Sequence, residues 1–311
     1  MEHIPVLSGP LLEVLELDPA GVYLDCTLGL GGHTGLIARQ LTTGFVIACD
    51  RDEESIAKAR ENTKDCADRI RYCQTRFSEL KEALPKVLAE VQVAKVRGLI
   101  ADLGVSRYQL TNPERGFSFM SKGPLDMRLS RSQEGTAADI INFWSEKELV
   151  ALLERGEERR SRRVARAIMR GRPFTTTEGL AKAISDVVPR IQKIHPATLA
   201  FQALRMEVNE EREELEALME VAPPLVEDGG RIAIVAFHSL EDRVVKQRFA
   251  QLARSGDARL VVKKPIVPSQ EEVRSNPASR SAKMRVIEIG SGMEAEVEVE
   301  DLESAAQEVD E

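Results

Sequence analysis

The chain has 311 residues, 42% apolar and 30% charged, with 14 prolines and 20 glycines. This is a soluble globular composition, enough for one large domain or two ordinary ones, and it excludes disordered and collagen-like classes. No apolar run approaches the roughly 18 residues of a membrane span and Met1–Pro5 shows no signal-peptide pattern, so no membrane partner is expected.

The net charge of −8 belongs largely to the end of the chain. Residues 294–311 carry nine acidic side chains and no basic one, and the rest holds 42 acidic against 43 basic side chains. A nucleic-acid partner is therefore compatible with the composition. Cys26, Cys49, Cys66 and Cys73 form no C-x-x-C pair. Neither a disulfide framework nor a zinc site is expected, and a reducing cytoplasm fits best.

In chain order, the first third alternates between two periods. Residues 22–26 are a short apolar run ending in a glycine-rich turn, and 34–41 read as a helix. Strands at 45–50, 70–73 and 98–102 alternate with helices near 53–63 and 78–90. Such alternation predicts a parallel sheet with helices on both faces. Residues 107–135 read as loop and 136–189 as helical throughout. A long helix over 197–221 ends at Pro223-Pro224, Gly229-Gly230 leads into a strand at 231–237, and strands near 259–264 and 284–289 follow. The expected architecture is an α/β, seven-stranded, mostly parallel doubly wound sheet. Its discontinuous domain would span 1–106 and 196–290, interrupted by a loop and helical subdomain over 107–195. An acidic tail over 291–311 is expected to be disordered.

Between the first strand and its helix lies Asp25-Cys26-Thr27-Leu28-Gly29-Leu30-Gly31-Gly32-His33-Thr34-Gly35. Glycines there let backbone approach a ligand, and the helix start offers free N–H groups. A dinucleotide fingerprint would need G-x-G-x-x-G, but Thr34 stands in the third glycine's place, which counts against an NAD-dependent oxidoreductase. Asp50 closes the second strand, where an acid can accept hydrogen bonds from ribose hydroxyls. Asp102 closes the fourth. Loop and acids converge on one crevice at the carboxyl ends of the strands, suited to a nucleoside cofactor. No G-x-x-x-x-G-K-[ST] is present, so a P-loop NTPase is excluded.

Longer motifs sharpen this reading: residues 3–7 (HIPVL), 29–33 (GLGGH), 102–106 (DLGVS), 115–119 (RGFSF), 123–128 (GPLDMR), 195–198 (HPAT), 201–205 (FQALR), 237–243 (FHSLEDR) and 279–285 (SRSAKMR). In these strings and their order the chain resembles the RsmH (MraW) family. The resemblance runs from about residue 3 to 289. It implies a class I S-adenosylmethionine-dependent methyltransferase fold and methylation of the N4 amine of a decoding-centre cytidine in bacterial 16S ribosomal RNA. The implied cofactor is S-adenosyl-L-methionine. The implied partner is 16S rRNA in the small ribosomal subunit, with a homodimer as the assembly kept open. By position, the cofactor contacts implied are Gly31, Gly32, His33, Asp50, Phe77, Asp102 and Gln109.

The N4 amine of cytosine is a poor nucleophile because its lone pair is delocalised, so it must be held in line with the methyl donor. An acceptor on N4–H would localise the lone pair and take up developing positive charge. Asp102 is the candidate, with Asp242 and His238 from the segment after the fifth strand. Phe117, Phe119 and Phe237 are candidates to sandwich the base, although each also suits a core. FHSLEDR has a structural alternative, a helix start with Ser239 as N-cap and Asp242 at the capping-box position. Methylation at ring carbon C5 would need a cysteine nucleophile, and none follows the fourth or fifth strand.

Residues 155–172 contain eight arginines. Arg159, Arg163, Arg166 and Arg170 share a face at helical spacing and are the candidate RNA-binding residues, while Val164 and Ile168 form an apolar stripe. A solvated face balanced by Glu154, Glu157 and Glu158 is the alternative. Lys263, Lys264, Arg280, Lys283 and Arg285 could extend the basic track. His3 and His195 lack metal-ligand spacing, and no metal is expected.

Overall fold

A computed structural model describes residues 5–189 and 195–290. His3, the start of the first motif and the acidic tail lie outside the described residues.

Seven strands form one sheet: β1 (Val22–Asp25), β2 (Phe45–Asp50), β3 (Ile70–Gln74), β4 (Val96–Asp102), β5 (Val226–Ala236), β6 (Ala258–Leu260) and β7 (Lys283–Ile289). Their order is β3-β2-β1-β4-β5-β7-β6. The pairs β3–β2, β2–β1, β1–β4 and β4–β5 are parallel, whereas β7 runs antiparallel between β5 and β6. The chain winds outward from β1 through β2 to β3, then resumes at β4 and proceeds the other way. The strand order therefore reverses between β1 and β4, and the carboxyl ends there border a crevice.

Thirteen α-helices accompany the sheet among the described residues. They are α1 (Ser8–Leu15), α2 (Gly32–Ala38), α3 (Glu53–Asn62), α4 (Leu80–Glu90), α5 (Arg107–Thr111), α6 (Ala137–Phe143), α7 (Glu146–Arg155), α8 (Ser161–Gly171), α9 (Thr177–Ser185), α10 (Thr198–Val208), α11 (Glu211–Leu225), α12 (Ser239–Ser255) and α13 (Gln270–Ser275). Helices cover both faces of the sheet, so the central strands are apolar on both sides, and β1 is buried at every position. On one face Leu84, Leu218 and Phe249 from α4, α11 and α12 pack on Leu24, Ile47, Leu99 and Ile232. On the other, Leu11, Ile37 and Ala59 from α1, α2 and α3 pack on Tyr23, Val46, Ile100 and Val235.

A third core gathers Phe117, Leu125, Met127, Leu149, Val164, Ile168, Leu180, Phe201 and Leu204. Its members run from Phe117 to Val208, so α10 packs with the helices between β4 and β5. The expected division at residue 195 falls within the sequence span of this core.

The long helix expected over 197–221 is two helices. Glu210 takes a left-handed φ of 51° between α10 and α11. Beside it, buried Asn209 donates to the Met127 carbonyl (2.7 Å) and accepts from the Leu129 N–H (2.8 Å). These bonds tie the break to the segment before α6, a tertiary cause that helical periodicity does not carry. Pro223 and Pro224 lie within α11, and β5 begins at Val226, earlier than expected.

Candidate active site

The loop between β1 and α2 is held from beneath by Asp25. This acid is 1% exposed. It accepts from the Thr27 N–H (3.0 Å) and from the Thr34 hydroxyl (2.6 Å). Thr34 thus has a role of its own where a dinucleotide loop would carry glycine. The Thr27 hydroxyl oxygen in turn accepts from the Asp102 N–H at 2.6 Å, which joins the loop to the end of β4. Gly31 has a φ of 84°, and a Cβ there would stand 2.8 Å from Thr63 Cγ2. At Gly32 a Cβ would stand 2.6 Å from Pro5 Cγ. Both glycines are thus required by close protein packing, a reason additional to ligand approach.

Asp50 closes β2 with its carboxylate turned onto backbone. Oδ2 accepts from the Gly29 N–H (2.8 Å) and Oδ1 from the Asp52 N–H (2.9 Å). Burial raises its pKa to about 6 despite these two bonds. Phe77 follows β3 in a short 3-10 turn and is half-buried against the core beneath α4. Gln109 is 3% exposed, and both ends of its amide are engaged. Its Oε1 accepts from the Ser106 N–H (2.8 Å), and its Nε2 donates to Asp52 Oδ2 (2.7 Å). It caps α5 and ties that helix to α3.

Asp102 differs from the other acids. Its Oδ1 is buried with no hydrogen-bond partner. Its Oδ2 lies 3.8 Å from Nδ1 of His33, within ion-pair range but beyond a hydrogen bond. Burial raises the carboxyl to about 6. His33 lowers it, and Asp25 and Glu241 raise it further. The ring of Phe237 lies near the backbone after β4, 3.9 Å from where a Cβ on Gly104 would sit. Among the three candidate rings, Phe117 is a core residue, 7% exposed. Phe119 stacks on His195 (centroids 4.5 Å apart) and meets Phe201 edge-on.

The segment after β5 corrects several expectations. The N-cap of α12 is His238, with Nδ1 accepting from the Glu241 N–H at 3.4 Å, so Ser239 is not the cap. Ser239 instead donates to Glu157 (2.9 Å). Asp242 is held by Arg285 Nε (2.7 Å) and Lys283 Nζ (3.2 Å) from β7. Burial opposes its ionisation, but these two cations hold the carboxyl below its usual range. Asp242 is thus ion-paired across to β7, which engages Lys283 and Arg285. Of the two acids in this segment, Glu241 is the one whose charge acts on Asp102. Its Oε2 accepts from the Phe237 N–H (2.8 Å), and its Oε1 lies 3.0 Å from His238 Nε2. Glu211, His238 and Glu241 bring possible ligand atoms within 4.8 Å of one another. Arg205, 2.8 Å from Glu211, already supplies positive charge there.

A cavity of about 680 Å³ opens beside the ends of β2 and β3, lined by Arg51, Thr75, Arg76, Gln133, Trp144 and Glu210 among others. Asp102 and Gly31 are not in its lining. Arg51 bonds the Asn209 carbonyl and Gln133, and Arg76 pairs with Glu210 and Glu214, so the cavity wall is charge-matched.

On the helical side, Arg163, Arg166 and Arg170 lie exposed on α8, while Val164, Ala165 and Ile168 are buried. Arg159 does not share that face, because it precedes α8 in a turn that follows the left-handed Glu157. Arg166 pairs with Glu146 at 3.2 Å. Arg172 is diverted to the carbonyls of Ile141 and Trp144. Sequence reasoning missed Phe143, 80% exposed at the end of α6. It placed Asp25 and Glu241 in their strings but gave neither a role. Asp25 had a legible signal, since it closes β1 as Asp50 and Asp102 close β2 and β4.

A doubly wound sheet with one antiparallel strand beside its last parallel one, a glycine loop after β1 and acids closing β2 and β4 defines an S-adenosylmethionine-dependent methyltransferase. The sequence matches the MraW methylase family over residues 1–290, and the chain belongs to that family. It is 52% identical over 288 residues to the ribosomal RNA small subunit methyltransferase H of Solibacter usitatus, covering 92% of this chain and 99% of that protein. It is 46% identical to the protein of the same name from Rippkaea orientalis, covering 92% of each. A solved SAM-dependent O-methyltransferase from Thermotoga maritima aligns at 11% identity and a TM-score of 0.43, over 93% of this chain and 67% of that one. An rRNA methylase from Streptococcus thermophilus aligns at 13% identity and a TM-score of 0.38, over 91% and 93%.

The crevice residues fit the cofactor. A buried, unpartnered carboxylate oxygen on Asp102 leaves an acceptor for an ammonium or amine. Asp50 stands where ribose hydroxyls are bound in such sheets. The cofactor supplies an electrophilic methyl group on a sulfonium.

Proposed function

We propose that the protein methylates the exocyclic N4 amine of a decoding-centre cytidine in 16S rRNA of the small ribosomal subunit, in the cytoplasm. The observation that carries the reaction type is Asp102, whose Oδ1 is buried at the end of β4 and lacks a partner. A carboxylate so placed accepts from N4–H, localises the amine lone pair and takes the charge that develops as the N–C bond forms. The substrate class is supported by the names of the relatives, which act on small-subunit ribosomal RNA.

In this reading Gly31, Gly32, His33, Asp50, Phe77 and Asp102 hold the cofactor. Gln109 supports the site by fixing α5 on Asp52. Glu241 and His238 brace the end of β5. Asp242 acts only through β7. The helices between β4 and β5 form a recognition unit. Arg163, Arg166 and Arg170 meet phosphates, and Phe143 offers a ring to an unstacked base. The base must be splayed out of its RNA stack to reach Asp102. Whether the molecule works as a homodimer is decided by its mass in solution.

The test is methyl transfer from labelled S-adenosylmethionine to small subunits lacking the modification, followed by nucleoside mass spectrometry of the 16S rRNA. Label on cytidine N4 is the expected result. Label on C5, on a ribose hydroxyl or on another base would overturn the proposal.

A further inference from the structure

His33 is 6% exposed, and its ring is fixed at both nitrogens. Nε2 lies 2.9 Å from the Val6 carbonyl oxygen. A carbonyl only accepts, so Nε2 carries the proton. In the neutral ring Nδ1 is then a lone pair, directed at Asp102 Oδ2 3.8 Å away. Two lone pairs facing each other across a buried gap are unfavourable. The contact becomes attractive once one proton sits between them, on either side. The opposite oxygen of the same carboxylate, Oδ1, is buried and has no partner.

We propose that His33 is a positioning residue for methyl transfer: its ring, fixed on the Val6 carbonyl, faces Oδ2 of Asp102 and offsets the charge of the acids around it, leaving Oδ1 to meet the reacting amine. This rests on the N4 reading above. The balance is simple. The N4–CH₃ bond forms as the S–CH₃ bond breaks, and sulfur keeps the electron pair as a neutral thioether. The amine, now cationic, loses one proton to Asp102. That proton rests on Oδ1, the oxygen that meets the amine, while Oδ2 stays on the side of His33 Nδ1, 3.8 Å away. The charged groups around the carboxylate come from three elements: Asp25 at the end of β1, His33 on α2 and Glu241 on α12. Two of the three are acids, and His33 is the one group among them able to offset their repulsion.

His33→Gln tests this. A glutamine can keep an N–H on the Val6 carbonyl while removing the nitrogen that faces Asp102. In single-turnover methyl transfer, the acid limb of the pH–rate profile should move to higher pH by about half a unit or more, because Asp102 loses its favourable neighbour. The profile is taken at saturating S-adenosylmethionine, so that any loss of cofactor affinity through His33 does not enter it. An acid limb that does not move under these conditions overturns the proposal. A second readout needs no substrate. In ¹⁵N spectra of the free protein, the His33 Nδ1 resonance should shift between wild type and Asp102→Asn while Nε2 stays protonated. If Nδ1 is indifferent to Asp102, the pairing is wrong even where N4 methylation holds. If Nδ1 responds but the product carries no N4-methyl, the pairing stands and the N4 reading fails.

Discussion

The ends of β1, β2 and β4 and the end of β5 lie along the same sheet edge, yet they use their acids in opposite ways. Asp25 is buried and Asp50 and Asp102 are half-buried, and they meet hydroxyls, backbone N–H groups or, at one oxygen, nothing. Burial raises all three. After β5, Glu241 and Asp242 are also buried, but cations or a histidine face them and both are lowered. The first set is kept short of countercharge, so a cationic ligand or a charge developing in a reaction can supply it. The second set is already satisfied and braces the fold.

The sharpest way to break this contrast is to neutralise one acid from each set. Asp102→Asn should lower single-turnover methyl transfer by one to three orders of magnitude, the scale of general-base and electrostatic effects. Asp242→Asn should leave the rate within a few-fold. Comparable losses in the two variants would dissolve the distinction.

The fold was largely legible because buried parallel strands and amphipathic helices alternate with different periods over residues 22–102. Asp50 and Asp102 were legible because they close strands, and Gly31 because it lies in the glycine-rich turn that opens α2. The FHSLEDR segment was not, because nothing local says that β7 inserts antiparallel beside β5 and carries Lys283 and Arg285 to Asp242. The role of the RGFSF string was hidden for the same reason. Arg115, 1% exposed, donates to Asp52 and Glu54 at 3.0 Å and to the Arg128 and Leu129 carbonyls, joining α3 to a loop more than 60 residues on. Such tertiary pairings carry no periodicity.

Asp50→Ala probes the cofactor end of the first set. Loss of its acceptor should weaken S-adenosylhomocysteine binding by about 1–3 kcal/mol, read by calorimetry. The fold should persist, because Asp50 stands at the end of β2 and serves two backbone N–H groups, those of Gly29 and Asp52, rather than the sheet itself. Unchanged affinity would remove Asp50 from the cofactor site.

Stability against pH should separate the two sets by sign. Asp102 has a folded pKa of about 6, above the roughly 3.9 of an unfolded chain. Its contribution is present below about pH 4 and lost as pH rises through 6, so at pH 7.5 the charged acid is a burden. Asp242 is lowered, so its contribution is present above the unfolded value and lost as pH falls through the lower folded one. At pH 7.5, Asp102→Asn should raise unfolding free energy by about 1–2 kcal/mol, whereas Asp242→Asn should lower it. Denaturant titrations at pH 7.5 would show it. Destabilisation by both would mean that the charged Asp102 carboxylate is stabilised where it stands, and the contrast between the two sets would fail.

The smallest effect concerns the helical side, where charge is spread over a solvated surface. Arg163, Arg166 and Arg170 lie exposed on one face of α8. Arg166 pairs with Glu146, and this pair is exposed on both sides, 61% and 47%. Such pairs contribute roughly 0–1 kcal/mol, so exchange of Glu146 for a phosphate is cheap. Each arginine that meets phosphate adds about 0.7 to the salt slope of single-stranded RNA binding. Reversing all three to glutamate should therefore flatten log Kd against log salt by about 2 and weaken binding at low salt by roughly tenfold or more. Arg159→Glu, off that face, should do less. Affinity for S-adenosylhomocysteine should hold, because none of these side chains contacts the crevice. An unchanged slope in the triple variant would leave α8 as a solvated face and move RNA recognition to another surface.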